Sequence, residues 1–320
     1  MMFRKRHSEK APKLRRGDLV EVLGQHEILA TLDSQAKLEG IPFMAEMSRF
    51  CGRRFRVARR ADKVFLDHHF YVAGMNGTVL LEGVRCDGAS HGGCQMRCLA
   101  FWKEAWLKKV DPAEATERAN ADEHTPNKRE SLPVLRGEPC QTSSAESGRV
   151  CCQATELVKA TSRLPCWNVW QYVRDLASRD MTIREFTGML SLQVCNKLRR
   201  LCGRPRCGAV HGQSGNPPGD RLNLEPGEIV EVKSREEIEA TLDASGKTRG
   251  LGFASEMLEF CGRRFRVASR VERIILEWSG EMRPIADTVI LEGVTCNGVS
   301  RRGCPRDCYQ LWRESWLKRG

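Results

Sequence analysis

Eight cysteines recur at equivalent places in the two halves of the chain, and they are the residues best suited to chemistry. The first quartet is Cys51, Cys86, Cys94 and Cys98, and the second is Cys261, Cys296, Cys304 and Cys308. Both quartets have the spacing C-x34-C-x7-C-x3-C. Four thiolates hold Zn²⁺ in a closed tetrahedral site, and they also hold iron–sulfur clusters. We therefore expect one metal site per quartet, giving two zinc ions per chain, with an iron–sulfur cluster as the alternative cofactor.

The elements expected around each quartet bring its thiols together. Cys94 and Cys98 are four residues apart at the start of a predicted helix, so both project from one helix face. Cys86 ends a predicted strand and is followed by a Gly-rich turn, and Cys51 lies where the first helix stops. His91, inside that turn, is an alternative ligand in the first copy; its equivalent, Arg301, cannot bind a metal. The competing interpretation is that these cysteines are small buried apolar residues.

The composition indicates a multidomain protein without membrane spans. The chain has 320 residues, 41% of them hydrophobic and 29% charged, and no apolar run near the ~20 residues of a membrane helix. The opening segment, MMFRKRHSEKAPKLRR, is basic but is not followed by an apolar stretch, which is unlike a secretory signal. We expect a cytoplasmic protein, in which most of the 15 cysteines are metal ligands or buried thiols rather than disulfides.

The net charge of +11 is concentrated at the amino terminus. Residues 1–16 contain seven Lys or Arg against one Glu, which is a net charge of +6. A basic tail of this kind could hold an acidic partner such as nucleic acid, or it could act only as a solubilising tail.

The chain contains an internal duplication with a constant offset of 210 residues. GDLVEV at Gly17 returns as GEIVEV at Gly227, and FCGRRFRVA at Phe50 returns at Phe260. No gap is needed from 17 to 109, and 43 of these 93 positions are identical. Two copies of one domain follow from this pattern.

Each copy is predicted to be a small β-rich domain. LVEV, RRFRV, KVFL and TVLLEGV have the composition or alternation of strands, and MAEMSRFC has helical spacing. CLAFWKEAWLKKV is predicted to form a closing amphipathic helix, with Trp102 and Trp106 (Trp312 and Trp316 in the second copy) in the core. The predicted fold class is α+β: two SH3-like barrel-type domains, each closed by a C-terminal helix, joined by a linker and a small helical insert.

The predicted organisation has six parts: a basic tail (1–16), repeat 1 (17–110), a flexible linker (111–150), a helical insert (151–210), a loop (211–226) and repeat 2 (227–320). The insert contains three helical patterns, and Thr182 is a predicted helix cap. It also has its own cysteines. We expect these to be thiols packed on helix faces, with a third metal site around Cys195, Cys202 and Cys207 as the alternative.

Arginines and carboxylates recur as well. Arg54, Arg56, Arg60, Arg264, Arg266 and Arg270 are predicted to form strand faces. Such a face could bind phosphate, offset the charge of a thiolate site or simply be solvated. The recurring Glu82, Glu292, Glu104 and Glu314 are predicted to pair with these arginines rather than to act as catalytic acids.

The motif set FCGRRFRV, LEGVxC and WxExWL resembles that of uncharacterised bacterial proteins. The resemblance covers both repeats and implies no activity and no site residues. The sequence has no G-x-G-x-x-G, Walker, G-x-S-x-G, H-E-x-x-H or C-x-x-C motif.

The leading hypothesis is a non-enzymatic metal-binding interaction module, with no small-molecule substrate and no membrane partner. Its partner would be a protein or a nucleic acid. The alternatives are an iron–sulfur redox protein and a nucleic-acid-binding protein that uses the tail and the arginine faces.

Overall fold

The computed structural model describes residues 14–111, 149–165, 170–178, 180–204, 207, 210–212 and 221–320. These residues form two compact units. Unit 1 comprises the described residues of 1–84, 100–143 and 151–180, and unit 2 those of 85–99, 144–150 and 181–320. The predicted tail, linker and loop lie largely outside the described residues. The cysteine-rich segment 85–99 of repeat 1 thus groups with repeat 2.

Repeat 1 folds into a curled antiparallel sheet. The strands of this sheet are β1 (Leu19–Val22), β4 (Arg54–Arg60), β7 (Thr78–Arg85), β8 (Leu99–Lys103) and β9 (Leu107–Lys109). Between them lie α1 (Gln25–Leu29), β2 (Lys37–Leu38), β3 (Ile41–Pro42), a 3₁₀ helix (Ala45–Phe50), β5 (Lys63–Leu66) and β6 (Tyr71–Gly74). The strand order is β8-β7-β4-β1-β9, because the last strand returns beside the first.

Repeat 2 has a sheet of the same kind. Its strands are β11 (Ile229–Val232), β14 (Arg264–Arg270), β17 (Thr288–Thr295), β18 (Tyr309–Arg313) and β19 (Leu317–Arg319). The shorter elements are α5 (Arg235–Glu239), β12 (Lys247–Thr248), β13 (Leu251–Gly252), a 3₁₀ helix (Ser255–Phe260), β15 (Arg273–Ile275) and β16 (Met282–Pro284). The order β18-β17-β14-β11-β19 matches that of repeat 1. Two similar five-stranded half-barrels, with few helices, make the described chain a mixed α+β structure, as predicted.

The predicted closing helix is wrong in both repeats. Residues 99–109 form β8, a 3₁₀ turn (Glu104–Trp106) and β9, and residues 309–319 form β18, a 3₁₀ turn (Glu314–Trp316) and β19. All five residues of β8 are buried, so the segment shows none of the alternation that marks a half-exposed strand. The tryptophans four residues apart meet in the core across the turn rather than along a helix.

The predicted aromatic core is confirmed. Trp102 and Trp106 are fully buried and stack edge to face, with ring centroids 6.4 Å apart. Phe43 packs against both rings, and Trp106 Nε1 donates a hydrogen bond to Thr31 Oγ1 at 3.0 Å. Trp312 and Trp316 are likewise fully buried in repeat 2, where their centroids are 6.5 Å apart. Edge-to-face pairs of this kind add to the stability that burial alone gives.

A β-bulge explains why one recurring arginine turns inward. The register of β4 against β7 shifts between Val57 and Arg59, so one extra residue enters the strand. Because successive residues alternate between faces, this extra residue moves Arg60 to the buried side. Arg60 is 7% exposed and pairs with Asp62 at 2.8 Å and with Glu104 at 2.6 Å. The predicted pairing of recurring carboxylates with arginines is confirmed here.

The predicted helices of the insert are present and divide between the units. Unit 1 contains α2 (Gln153–Ala160), which is followed by β10 (Ser162–Arg163) and α3 (Trp170–Ala177), and unit 2 contains α4 (Ile183–Leu201). In unit 1 the buried Gln153 side chain accepts from Phe101 N–H at 2.8 Å and donates to the carbonyls of Phe101 and Pro42. Thr182 caps α4 by accepting from Glu185 N–H at 3.2 Å, as predicted.

Candidate metal centre

The loop that follows β7 is closed on itself and requires glycine at 88. Cys86 N–H donates to the Cys98 carbonyl at 2.8 Å, which joins the two ends of the loop. Gly88 has a φ of +76°, and a Cβ there would lie 2.1 Å from the Cys94 carbonyl oxygen. Only glycine adopts this conformation so close to another backbone. The tight turn carries the chain from Cys86 round to His91.

Cys86 and His91 are brought into direct contact by this turn. Cys86 Sγ lies 3.1 Å from His91 Nε2, and the Gly88 N–H donates to the same sulfur at 3.2 Å. His91 is only 4% exposed, and Ser90 Oγ lies 3.3 Å from its Nδ1. A buried imidazole with one ring nitrogen beside a thiol and the other beside a hydroxyl has the arrangement of a metal ligand with an orienting neighbour.

Repeat 2 builds the same loop after β17. Cys296 N–H donates to the Cys308 carbonyl at 2.8 Å, and Gly298 N–H donates to Cys296 Sγ at 3.3 Å. Gly298 has a φ of +75°, and a Cβ there would lie 2.3 Å from the Cys304 carbonyl oxygen. The loop geometry is therefore common to both repeats. It forms both with His91 in repeat 1 and with Arg301 at the equivalent position of repeat 2.

Arg301 replaces the histidine in repeat 2 and joins a carboxylate to the thiol. Its Nη1 donates to Glu256 Oε1 at 2.7 Å and to Cys296 Sγ at 3.1 Å. The Glu256 side chain is 5% exposed, and its other oxygen accepts from Ser300 Oγ at 3.0 Å. By the 210-residue offset, the sequence equivalent of Glu256 is Glu46.

Three ionisable side chains lie close enough to Cys296 to affect the pKa of its thiol. Burial raises the pKa of the Cys296 thiol to about 12, Arg301 opposes that rise, and Glu256 and Cys304 add to it. The thiol therefore keeps its proton at neutral pH in this environment. A metal ion bound here would have to displace that proton, because thiolate is the ligand.

Cys261 lies beside a different set of charges. Burial raises the pKa of its thiol; Glu236 adds to the rise and Arg235 opposes it, both from the first turn of α5. Among the described residues, the thiols of the second quartet do not come within 4.8 Å of one another in a group of three or more. The four-thiolate ligand sets therefore remain predictions.

The remaining quartet positions are buried or partly buried thiols. Burial raises the pKa of Cys51 to about 11, and it raises the pKa of Cys308 to about 11 as well. Cys51 follows the 3₁₀ helix of unit 1, as predicted from the end of the helical pattern. Cys94 and Cys304 are 7% and 5% exposed.

Two of the six predicted partner-binding arginines, Arg60 and Arg270, turn away from the strand face and bind groups inside their own repeat. Arg60 pairs with Asp62 and Glu104, and Arg270 donates to the Leu224 carbonyl at 2.9 Å and to Glu314 at 3.4 Å. The β4 bulge, and the equivalent register shift between Val267 and Ser269 in β14, remove both from the strand face on which period-two counting places them. The side chains of Arg264 and Arg266 remain more than half exposed. Arg54 pairs with Glu21 at 3.0 Å, and Arg56 donates to the Gly17 carbonyl at 3.2 Å.

The insert cysteines do not form the expected set of packed thiols. Cys195 and Cys207 form a disulfide, and Cys151 is disulfide-bonded as well. Asn196 Oδ1 accepts from Cys207 N–H at 2.7 Å, which holds the segment after α4 back along the helix. This local hydrogen bond brings two cysteines twelve residues apart into reach. Cys202 is exposed and Cys152 is buried, while Cys140 and Cys166 lie outside the described residues.

Glu256 is not among the site residues predicted from the sequence, although its identity with Glu46 could have indicated it. Glu46 and Glu256 are identical between the repeats inside a helical pattern in which positions 44, 45, 48 and 49 differ from their equivalents. An acidic residue retained on such an element indicates a fixed partner, which in repeat 2 is Arg301.

Comparison of the chain with protein-family models, with curated proteins and with solved structures returned no match. None of the helices in the described part of the chain is long and apolar enough to cross a membrane.

Proposed function

We propose that this protein is a non-enzymatic zinc-binding module in which the loop 85–99 of repeat 1 holds the ion. The observation that carries the proposal is the contact between Cys86 Sγ and the buried His91 Nε2 at 3.1 Å. Thiolate and imidazole are both preferred ligands of Zn²⁺, with bonds of about 2.0–2.3 Å. A small adjustment of either side chain would let the two atoms share one ion.

The repeat supplies candidates for the other ligands. In repeat 2, Glu256 and Cys304 are the negative or ionisable groups that act on Cys296. The sequence equivalent of Cys304 in the loop of repeat 1 is Cys94. A set of two thiolates and one imidazole consists entirely of ordinary zinc ligands. Iron–sulfur clusters instead favour four thiolates, so the histidine favours zinc over iron.

The proposed role of the ion is to fix a segment that also contacts repeat 2 within unit 2. Arg85 pairs with Asp307 at 2.8 Å and lies over the Tyr309 ring, 4.2 Å from its centroid. Gln95 accepts from the backbone N–H groups of Glu272 and Arg273 at 2.6 and 3.1 Å. Metal-binding free energy would then be folding free energy of this segment.

The proposal extends to the fold and to an interaction role. A strand order in which the last strand returns beside the first supports an SH3-like barrel for each repeat. At the tips of the equivalent β5–β6 and β15–β16 hairpins, Phe70 and Trp278 are 66% and 56% exposed. Exposed aromatic side chains of this size are typical of protein-binding surfaces, which supports a protein as the macromolecular partner.

The test is elemental analysis with an absorption spectrum on full-length protein purified anaerobically. We expect about one zinc ion per chain, and cobalt substitution should give thiolate-to-cobalt charge-transfer bands. Cys86→Ser and His91→Ala should lose the metal, whereas Cys202→Ser, which changes an exposed cysteine at the end of α4, should keep it. Iron with acid-labile sulfide would make this a redox protein instead. Metal-free folded protein would refute the proposal.

A further inference from the structure

The second repeat contains an arginine, Arg301, where the first has His91. One nitrogen of Arg301 reaches both Glu256 Oε1, at 2.7 Å, and Cys296 Sγ, at 3.1 Å. These two atoms belong to residue types that bind zinc. The guanidinium therefore occupies the position between potential ligands that an ion would otherwise take.

The buried Glu256 carboxylate needs a positive charge beside it. The Glu256 side chain is 5% exposed, and a buried carboxylate is costly unless a cation or hydrogen bonds compensate it. Arginine remains charged at every physiological pH and donates several hydrogen bonds in a fixed plane. An imidazole brings no fixed charge, but it binds metals through a ring nitrogen. His91 and Arg301 thus offer two solutions to one electrostatic requirement.

We infer that Arg301 is a built-in replacement for the metal ion, so that repeat 2 closes its cysteine loop without metal and only repeat 1 takes up zinc. The inference rests on the proposed zinc site of repeat 1. It also identifies position 91, or 301, as the residue that decides metal specificity in each repeat. Reversing that residue should reverse the metal dependence of the loop.

The experiment measures zinc per chain in full-length wild type, Arg301→His, His91→Arg and the matched control Arg302→His. All four are loaded with zinc alone and passed over a weak chelating resin. We expect about one ion in wild type, about two in Arg301→His, none in His91→Arg and about one in the control. The control places a histidine in the same loop, one residue away from the position that contacts Glu256.

The outcomes separate this inference from the proposed function. One ion in both wild type and Arg301→His overturns the inference alone, because repeat 2 then lacks a latent site. No ion in wild type but one in Arg301→His overturns the proposed function and supports the latent site. No ion in either protein overturns both. Two ions in wild type also overturn the inference, because Arg301 would then not exclude metal.

Hydrogen exchange provides the second readout if Arg301→His does not fold. In wild type, a chelator should increase exchange in 85–99 and leave 295–309 unchanged. In His91→Arg, the segment 85–99 should become protected and insensitive to the chelator, as 295–309 is. Chelator sensitivity of 295–309 in wild type, or an unprotected 85–99 in His91→Arg, overturns the inference.

Discussion

Replacing Glu314 should destabilise repeat 2 more than any change on its surface. The Glu314 side chain is fully buried, and its carboxylate accepts from the N–H groups of Asn223 and Leu224 at 2.9 and 3.0 Å. Arg270 adds a third contact at 3.4 Å. The carboxylate thereby ties the segment before β11 to the turn between β18 and β19.

The expected magnitude follows from what Glu314→Ala leaves behind. It leaves two backbone donors without an acceptor, at about 1–3 kcal/mol each. It also removes the ion-pair partner of Arg270, whose side chain is 28% exposed, so we expect a total of about 3–5 kcal/mol. Glu314→Gln keeps one acceptor oxygen, so it should lose a hydrogen bond to a charged group, about 1.5–3 kcal/mol. Glu292→Ala is the control, because Glu292 is 56% exposed and lies 3.8 Å from Arg266. It should cost less than about 1 kcal/mol.

Urea unfolding of the full chain, followed by tryptophan fluorescence, measures these differences. With a slope of about 2 kcal/mol per M, Glu314→Ala should lower the midpoint by about 1.5–2.5 M. The same change at Glu104 should cost less, since the Glu104 side chain is 15% exposed. A Glu314→Ala midpoint equal to that of Glu292→Ala would refute the reasoning. A Glu314→Gln midpoint equal to that of wild type would show that the carboxylate charge contributes nothing.

Three further changes test other parts of the chain. Burial raises the pKa of Asp175 to about 6. Because the folded state then holds this proton more tightly than the unfolded state, the free energy of unfolding should fall by about 3 kcal/mol as the pH rises from about 4 through 6. Asp175→Asn should flatten this dependence of stability on pH, and an unchanged slope would contradict the assignment. Gly88→Ala places a Cβ 2.1 Å from a backbone carbonyl and should abolish zinc binding, whereas Gly52→Ala, with equally positive φ but open space, should retain it. The double variant Cys195→Ser, Cys207→Ser removes the disulfide and should destabilise α4 by about 3 kcal/mol, because the bond closes a loop of twelve residues. Hydrogen exchange over 183–201 measures this effect, and unchanged exchange there would count against a stabilising role.

The duplication, most of the strands and the tryptophan core could be predicted from the sequence. A gapless alignment over 93 positions, 43 of them identical, requires one domain folded twice, because both copies meet the same packing constraints. Alternation in RRFRV and β-branched composition in TVLLEGV located β4 and β7, since local backbone preference and burial agree there. The Thr182 cap was also predictable, because a capping box is a local structure.

The conformation of the closing segment, the positions of the arginines and the neighbours of the cysteines depend on tertiary contacts. The β8 strand is buried on both faces, so its sequence carries no period that separates strand from helix. A single bulged residue in β4 moved Arg60 from the surface into the core, and counting by two cannot reveal a bulge. The contact of Cys296 with Glu256 through Arg301 joins residues 40 or more positions apart. Such a contact depends on how a loop folds back onto a helix, which spacing along the chain does not specify.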